Sequence, residues 1–466
     1  MTHFNHKESP VPGFTHPVLS EYPRLRLHKI DESRLIVIDP ENAFWAVLRN
    51  DSSLERELKE KILPLYVKHK AEIDEEIRRF RFDIELSAVY INPTDRCNGR
   101  CQYCYIPESI RTEGRNMSRE DLFYALDMTL AYFKARQTDA DRKPVVVFHG
   151  SEPLMVKSLL FEAIRQYKDK ILFGIQTNAT MMDEDDARFL MDNRVSVGLS
   201  LDSLDRGSNN GLRPMVGQRS AYDAVMDAIG WLNGYKGMNV ITTITSHNVH
   251  ELPDIVRFLH HHGVKAALLN PIRCTRQETI ALRPDQTLLY RYFKEAVDTA
   301  YNLTVQTGRK IVVSGFTNTI LAIAAPIARR LMCDITPCGG ARRFFYIMAD
   351  TTTTPCGEFI ANNDFRAGSI REHSFEEILA SKPFQDVRGR IVESIEECSQ
   401  CLYRNICGAP CPGEIQETDG TFFAPSPYCS FYKQIIDYAF KLISEGKTPH
   451  LLRDEMSASM DTVYTL

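Results

Sequence analysis

Between residues 86 and 310 the chain repeats one pattern six times, an apolar run of strand length followed by a segment of helical periodicity. The runs are "SAVYINPT" (87–94), "PVVVFHG" (144–150), "ILFGIQTN" (171–178), "VSVGLSLD" (195–202), "NVITTIT" (239–245) and "KAALLNPI" (265–272). Strands joined through helices return in the same direction, so this alternation predicts an α/β fold with a parallel sheet, curled into an open partial barrel or laid flat. In either geometry ligands gather at the carboxyl ends of the strands. That rule singles out Thr94, Gly150, Asn178, Asp202 and Asn270. The intervening helices carry their own boundaries: "SRED" at Ser118 reads as a capping box opening a helix to about Arg136. A second runs from about Ser220 to Asn233, and "ELPDIVRFLHHHG" ends on a glycine.

The flanks read differently. Residues 1–85 hold two short alternating strands, "LRLHKID" and "SRLIVIDP", with "AFWAVLR" as a third. A charged, periodic stretch follows, predicted as two helices interrupted near Pro64. This strand–helix module either holds a partner peptide or caps the next domain. After about residue 300 the alternation stops, and residues 333–429 are rich in Cys, Gly and Pro. Such a region cannot close an apolar core unaided and is expected to be held by metal. "YKQIIDYAFKLISEG" reads as a helix and "DEMSASMDTVYTL" as a tail. The expected division is therefore 1–85, 86–310, 311–440 and 441–466.

A formal net charge of −5 gives no electrostatic reason to expect nucleic acid or a membrane surface. The most apolar stretch, "ILAIAAPIA" (320–328), is too short to span a bilayer, and "MTHFNHKESPVPG" shows no secretion signal. A cytoplasmic protein is expected. In that compartment twelve cysteines are not expected to pair as disulfides. Three lie at 97, 101 and 104, one at 274 and eight between 333 and 429. Random placement at this composition yields a given spaced triplet only about 0.008 times, which makes ligation the working hypothesis.

The triplet Cys97-x3-Cys101-x2-Cys104 follows the first strand of the alternation. A closed zinc site wants four ligands, and no fourth Cys or His is near in sequence. Three thiolates suit a [4Fe–4S] cube with one iron left open to chelate a small molecule's amino and carboxylate groups. Here the sequence resembles the radical S-adenosylmethionine (SAM) enzymes, whose signature is CxxxCxxC in this position. "FHGSEP" is similar to that family's GGEP motif, with Ser151 in place of its second glycine, and assigns Gly150, Ser151, Glu152 and Pro153 to the methionine end of SAM. "QTNAT" and "LSLDS" imply that Gln176, Asn178, Ser200 and Asp202 face the sulfonium and ribose. Arg213 matches an arginine that meets the SAM carboxylate, a role that suits its planar donor. The resemblance implies a partial (β/α)6 TIM barrel and a 5′-deoxyadenosyl radical that removes hydrogen from an unreactive C–H bond. The triple His260–His262, in the last turn of a helix, is expected to be structural.

The remaining eight cysteines, Cys333-x4-Cys338-x17-Cys356 and Cys398-x2-Cys401-x5-Cys407-x3-Cys411-x17-Cys429, are the count for two fully ligated [4Fe–4S] clusters. A pair of zinc ribbons uses the same residue types. The pattern is similar to the SPASM domain that follows some radical SAM barrels. That resemblance implies one auxiliary cluster on Cys333, Cys338, Cys356 and Cys411, and a second on Cys398, Cys401, Cys407 and Cys429. With the triplet this makes three [4Fe–4S] clusters and SAM as cofactors. Cys274 fits neither array and is expected as a buried small hydrophobe.

SPASM-bearing members mostly act on peptides or proteins. The resemblance therefore implies a maturase of a ribosomally made peptide or protein, forming a thioether or carbon–carbon crosslink, served by a low-potential donor such as flavodoxin or ferredoxin. The N-terminal module would hold a leader segment as an added strand. Formylglycine-forming maturases carry an aspartate directly after the cysteine matching Cys356. This chain has Gly357 there, and Glu358 one residue further on is the candidate base. The alternatives are a formylglycine-forming sulfatase-type maturase, a radical SAM enzyme on a small molecule, and a zinc-binding interaction protein.

Overall fold

The structure, a computed structural model, describes residues 11–42, 44–136, 143–217, 219–329 and 333–453. The tail "DEMSASMDTVYTL" and the first ten residues, to which the reading of the N-terminus applied, lie outside them. The described residues fall into two compact units, one drawn from residues 1–84, 316–339 and 389–449, the other from 85–315, 340–388 and 450–466.

In the first unit β1 (Arg26–Lys29), β2 (Arg34–Ile38) and β3 (Trp45–Arg49) form an antiparallel sheet in chain order. Their alternation turns Leu27, Leu35, Val37 and Leu48 toward Leu58, Ile62 and Tyr66 of the following helix, closing a small core. The break expected near Pro64 is a π-helical turn, Leu58–Ile62, leading directly into the helix Leu63–Phe82. Proline has no N–H to continue the α ladder, and the wider turn absorbs the mismatch without ending the helix.

The second unit is built on one ten-stranded sheet. Its strands are β4 (Ala88–Ile91), β5 (Val145–Phe148), β6 (Leu172–Thr177), β7 (Ser196–Ser200), β8 (Met238–Ile244), β9 (Ala266–Pro271), β10 (Val312–Val313), β11 (Phe344–Ile347), β12 (Thr352–Thr354) and β13 (Ala367–Ser369). They lie in the order β10-β9-β8-β7-β6-β5-β4-β11-β12-β13. The six expected strands, β4 to β9, pair in parallel throughout. The sheet curls: Val145 and Val147 of β5 share a buried cluster with Ala266 and Leu268 of β9, although three strands separate them in the sheet. The fold is thus an open partial barrel. Two additions escaped the sequence reading, a seventh parallel strand, β10, and the pairing of β11 with β4, which brings Tyr346 beside Tyr90.

Helices cover the outer face. Ser118 Oγ accepts from Asp121 N at 3.0 Å to start Arg119–Arg136, Ser220 Oγ caps Ala221–Trp231 from Asp223 N at 3.1 Å, and Gly263 at φ +71° follows the last turn of Leu252–His261. His260 is buried, its Nε2 3.0 Å from Thr307 Oγ1, in keeping with a structural role. Cys274 is fully buried, its thiol 3.4 Å from Thr279 O.

Candidate active site and cluster sites

The cysteine triplet occupies the loop leaving the carboxyl end of β4. This loop is braced along its length. Arg100 N–H donates to Pro214 O at 2.7 Å, Val216 N–H to Asn98 O at 2.7 Å and Gln102 N–H to Leu212 O at 3.0 Å, so residues 98–102 pair with 212–216. Arg111, buried, donates from Nη1 to Gly99 O at 2.8 Å and from Nε to Ile106 O at 3.0 Å. A Cβ on Gly99 would sit 2.8 Å from Met215 Cε and in ordinary contact, 3.4 and 3.6 Å, with Cys97 Sγ and Cys101 Sγ, so the glycine lies directly beside two of the sulfurs. Burial, the Glu152 carboxylate and the other two thiols push Cys97 up to about 12, placing the three sulfurs within each other's field.

The strand ends converge on this loop. Gly150 has φ +127°, and a Cβ there would lie 2.1 Å from the Tyr346 hydroxyl and 2.6 Å from Asn92 Oδ1, which reserves the position for glycine. Ser151 Oγ donates to Asp95 O at 2.7 Å, and Pro153 opens a short 3-10 turn. Glu152, 1 % exposed, accepts from Leu154 N at 3.0 Å, Thr177 Oγ1 at 2.7 Å and Asn178 N at 2.8 Å, tying the end of β6 to that of β5. Burial raises its carboxyl above the usual range in spite of these donors. Asn178 Nδ2 donates to Asn98 Oδ1 at 2.9 Å, reaching the residue after Cys97. Gln176 and Ser200 are half-buried on β6 and β7, with Gln176 in register with Gly198.

Asp202, fully buried, accepts from Thr243 N at 2.8 Å through Oδ1 and from the Tyr103 hydroxyl through Oδ2; Arg213 Nη1 donates to that same hydroxyl and, at 3.3 Å, to Asp202 Oδ2. Burial opposes the Arg213 charge, but Cys101, Tyr103 and Asp202 outweigh it and keep the guanidinium firmly cationic. Its Nε is buried without a hydrogen-bond partner. A carboxylate or amino-acid headgroup supplies the missing acceptor, so the residues fit the methionine end of SAM.

Next to this lies an aromatic enclave. Tyr105, which follows Cys104, stacks on His149 at a centroid distance of 6.4 Å, and Tyr346 meets His149 edge-on at 6.2 Å. Tyr346 donates to His149 O at 3.0 Å, and burial holds the His149 ring near a pKa of about 4, hence neutral at neutral pH. Burial, Tyr346 and the Glu358 carboxylate raise the Tyr105 hydroxyl, which sets Glu358 beside this enclave. A Cβ on Gly357 would lie 3.3 Å from both the Tyr105 hydroxyl and Tyr346 Cε2, so the two rings already fill the room that a larger residue would need.

Of the other nine cysteines, Cys274 and Cys356 belong to the barrel unit and the remaining seven to the smaller one. Cys398, Cys401, Cys407 and Cys429 line a single small pocket. Burial and the neighbouring thiols raise Cys407, and Cys398 is pushed up to about 12 in the same way. Four thiols facing one hollow fit a fully ligated cube. Cys338 and Cys411 both act electrostatically on the buried Arg390, while Cys333 is exposed. Among the described residues no three or more His, Cys, Asp or Glu side chains close on a single metal ion.

Family comparisons agree with this geometry. Residues 91–259 match the radical SAM superfamily and residues 338–402 match SPASM, an iron–sulfur cluster-binding domain. An uncharacterized protein of Archaeoglobus fulgidus is 42 % identical over 416 residues, spanning 89 % of this chain and 94 % of its own length. The cysteine-type anaerobic sulfatase-maturating enzyme of Clostridium perfringens is 22 % identical, over 74 % of this chain and 93 % of that one. Among solved structures, anSMEcpe with bound AdoMet superposes with a TM-score of 0.67 at 19 % identity, covering 80 % of this chain and 97 % of that one. SuiB of Streptococcus suis bound to precursor peptide SuiA gives 0.57 at 14 %, covering 86 % and 98 %. The chain belongs to the radical SAM superfamily and carries a C-terminal SPASM domain. It is a radical SAM enzyme of oxidative radical chemistry that uses SAM and iron–sulfur cofactors, and the zinc-binding interaction reading gives way to this one.

Several residues in these sites have no counterpart in the sequence reading. Tyr103 and Tyr105 sit inside "CQYCY", where adjacency to the thiols was a usable signal. Asn98 had the same one. Arg111, Tyr346 and Arg390 had none, because only chain packing brings them to the cysteines.

Proposed function

We propose that this enzyme is a maturase acting on a ribosomally made peptide or protein, forming a thioether or carbon–carbon crosslink. Cys97, Cys101 and Cys104 would hold the open cluster and Gly150–Pro153, Gln176, Asn178, Ser200, Asp202 and Arg213 would cradle SAM; together these cofactors supply a carbon-centred radical able to take hydrogen from an unactivated C–H. Auxiliary cubes on Cys333, Cys338, Cys356 and Cys411 and on Cys398, Cys401, Cys407 and Cys429 would bring the count to three. A low-potential donor such as flavodoxin or ferredoxin, a cytoplasmic setting and the division 1–85, 86–310, 311–440 and 441–466 complete the reading, with the first module receiving a leader segment.

The observation that carries the proposal is the enclave of Tyr105, His149, Tyr346 and Glu358 beside Cys104. It supports a base beside the open cluster: after the radical removes one hydrogen atom, an oxidative crosslink releases one proton, which Glu358 would take, and one electron, which an auxiliary cluster would accept. Peptide-bound solved relatives, SuiB with SuiA and anSMEcpe with the Cp18Cys peptide, support a peptide as the occupant.

A formylglycine-forming maturase is the second reading, favoured by the relation to the Clostridium perfringens enzyme over 93 % of its length. Against it stands position 357, where this chain has glycine in place of the aspartate and an added Cβ would sit a tight 3.3 Å from the Tyr105 hydroxyl and Tyr346 Cε2. The test is anaerobic incubation with SAM, a low-potential reductant and a peptide encoded beside the gene. A loss of two hydrogens without an aldehyde, with Glu358→Gln suppressing product but not 5′-deoxyadenosine, supports the crosslink. An aldehyde trapped by hydrazide moves the assignment to formylglycine, and no change in the peptide alongside continued SAM cleavage points to a small-molecule substrate.

A further inference from the structure

Arg390 is 2 % exposed and among the largest fully buried side chains of the chain. Its hydrogen bonds all end on main-chain carbonyls: Nε donates to Phe422 O at 2.5 Å, and Nη2 donates to Ala409 O at 2.9 Å and Ala424 O at 3.2 Å. Neutral acceptors leave the unit charge uncompensated, and an uncompensated buried cation costs several kcal/mol. Burial accordingly pulls the guanidinium down, and the groups acting in the other direction are the thiols of Cys338, Cys398, Cys411 and Cys407. Those four belong to both ligand sets, two to each. Ala409 lies between Cys407 and Cys411, and Phe422 and Ala424 lie on the approach to Cys429, so the same side chain clamps two ligand-bearing segments.

We infer that Arg390 is the shared counter-ion of the two auxiliary clusters, a positioning residue that fixes the 407–411 and 422–429 segments and raises the reduction potentials of both cubes. A [4Fe–4S] cube with four thiolates carries net negative charge in either redox state and gains one more on reduction. A fixed cation buried beside it favours the more negative, reduced state, and low surrounding polarity magnifies the effect. Two cubes under one guanidinium are biased together, which favours passing an electron between them. The inference rests on iron–sulfur clusters in this region and not on any substrate, so it stands or falls apart from the crosslinking proposal.

The test uses full-length protein reconstituted anaerobically, in wild-type form and in a Cys97/Cys101/Cys104→Ala background that leaves only the auxiliary signals. Arg390→Gln and Arg390→Lys are followed by iron content and by redox titration with electron paramagnetic resonance. Arg390→Gln is expected to retain about eight auxiliary irons and shift both auxiliary potentials negative, with Arg390→Lys recovering most of the shift. Unchanged potentials in Arg390→Gln at full iron content overturn the inference. So do equal shifts in the Gln and Lys variants, which indicate packing and not charge, and so does zinc in place of iron. Where Arg390→Gln loses iron, Arg390→Lys decides: potentials near wild type support the counter-ion role, and shifted ones overturn it.

Discussion

The two cysteine regions are braced by the protein to different extents. The loop carrying Cys97, Cys101 and Cys104 is fixed by protein alone: it pairs with residues 212–216, Arg111 holds two of its carbonyls, and Asn178 holds Asn98. The region from Cys398 to Cys429 has two helices of only four residues, Glu396–Ser399 and Arg404–Cys407, one of eight, Pro412–Asp419, a small apolar cluster of Val392, Ile395, Cys398 and Ala409, and a buried arginine bonded to carbonyls. A site whose iron must keep one position open needs its geometry set by the scaffold, since three ligands define it less completely than four. A closed cube can itself supply the missing cross-links of a loop-rich domain.

That contrast is open to direct attack. Replacing Cys97, Cys101 and Cys104 together by alanine is expected to drop 5′-deoxyadenosine formation to background while the barrel still melts cooperatively, as read by calorimetry. Removing iron with an anaerobic chelator is expected to raise amide exchange across residues 389–429 far more than in β4–β9; equal exchange in both would erase the distinction. Gly150→Ala forces a side chain into the space of the Tyr346 hydroxyl at a positive φ, costing about 1–3 kcal/mol in denaturant melts and lowering SAM affinity by equilibrium dialysis. Arg111→Met leaves Gly99 O and Ile106 O without their donor, a loss of about 1–2 kcal/mol with slower cluster assembly on the triplet only.

The smallest effect concerns the N-terminal module. Burial opposes the charge on Asp74, but hydrogen bonds from Arg24, Lys70 and Asn42 outweigh it and bring its carboxyl down to about 2. A depressed carboxyl stabilises the fold above its ordinary value and loses that contribution as the pH falls. About 1 kcal/mol is therefore expected to disappear between roughly pH 4 and pH 2, and Asp74→Asn should flatten that part of the acid-unfolding curve.

Much of the site was legible in one dimension because its chemistry is local in the chain. Three thiols within eight residues, "FHGSEP" at one strand end and "LSLD" at another need only the strand rule to be placed together. Ser118, Ser220 and Gly263 likewise announced their helix ends, since a cap is a bond between near neighbours. The pairing of β11 with β4 was not legible, for it joins residues some 250 positions apart and no local pattern encodes a partner at that distance. With it came Tyr346, and hence the reason position 150 must be glycine and position 357 small. The sequence by itself determined where the thiols cluster and that six strands run parallel, because cysteine spacing and hydrophobic periodicity are properties of short segments. Only the tertiary structure decided which buried groups, among them Tyr103, Arg111 and Arg390, stand against those sulfurs, because burial and charge compensation are properties of the packed whole.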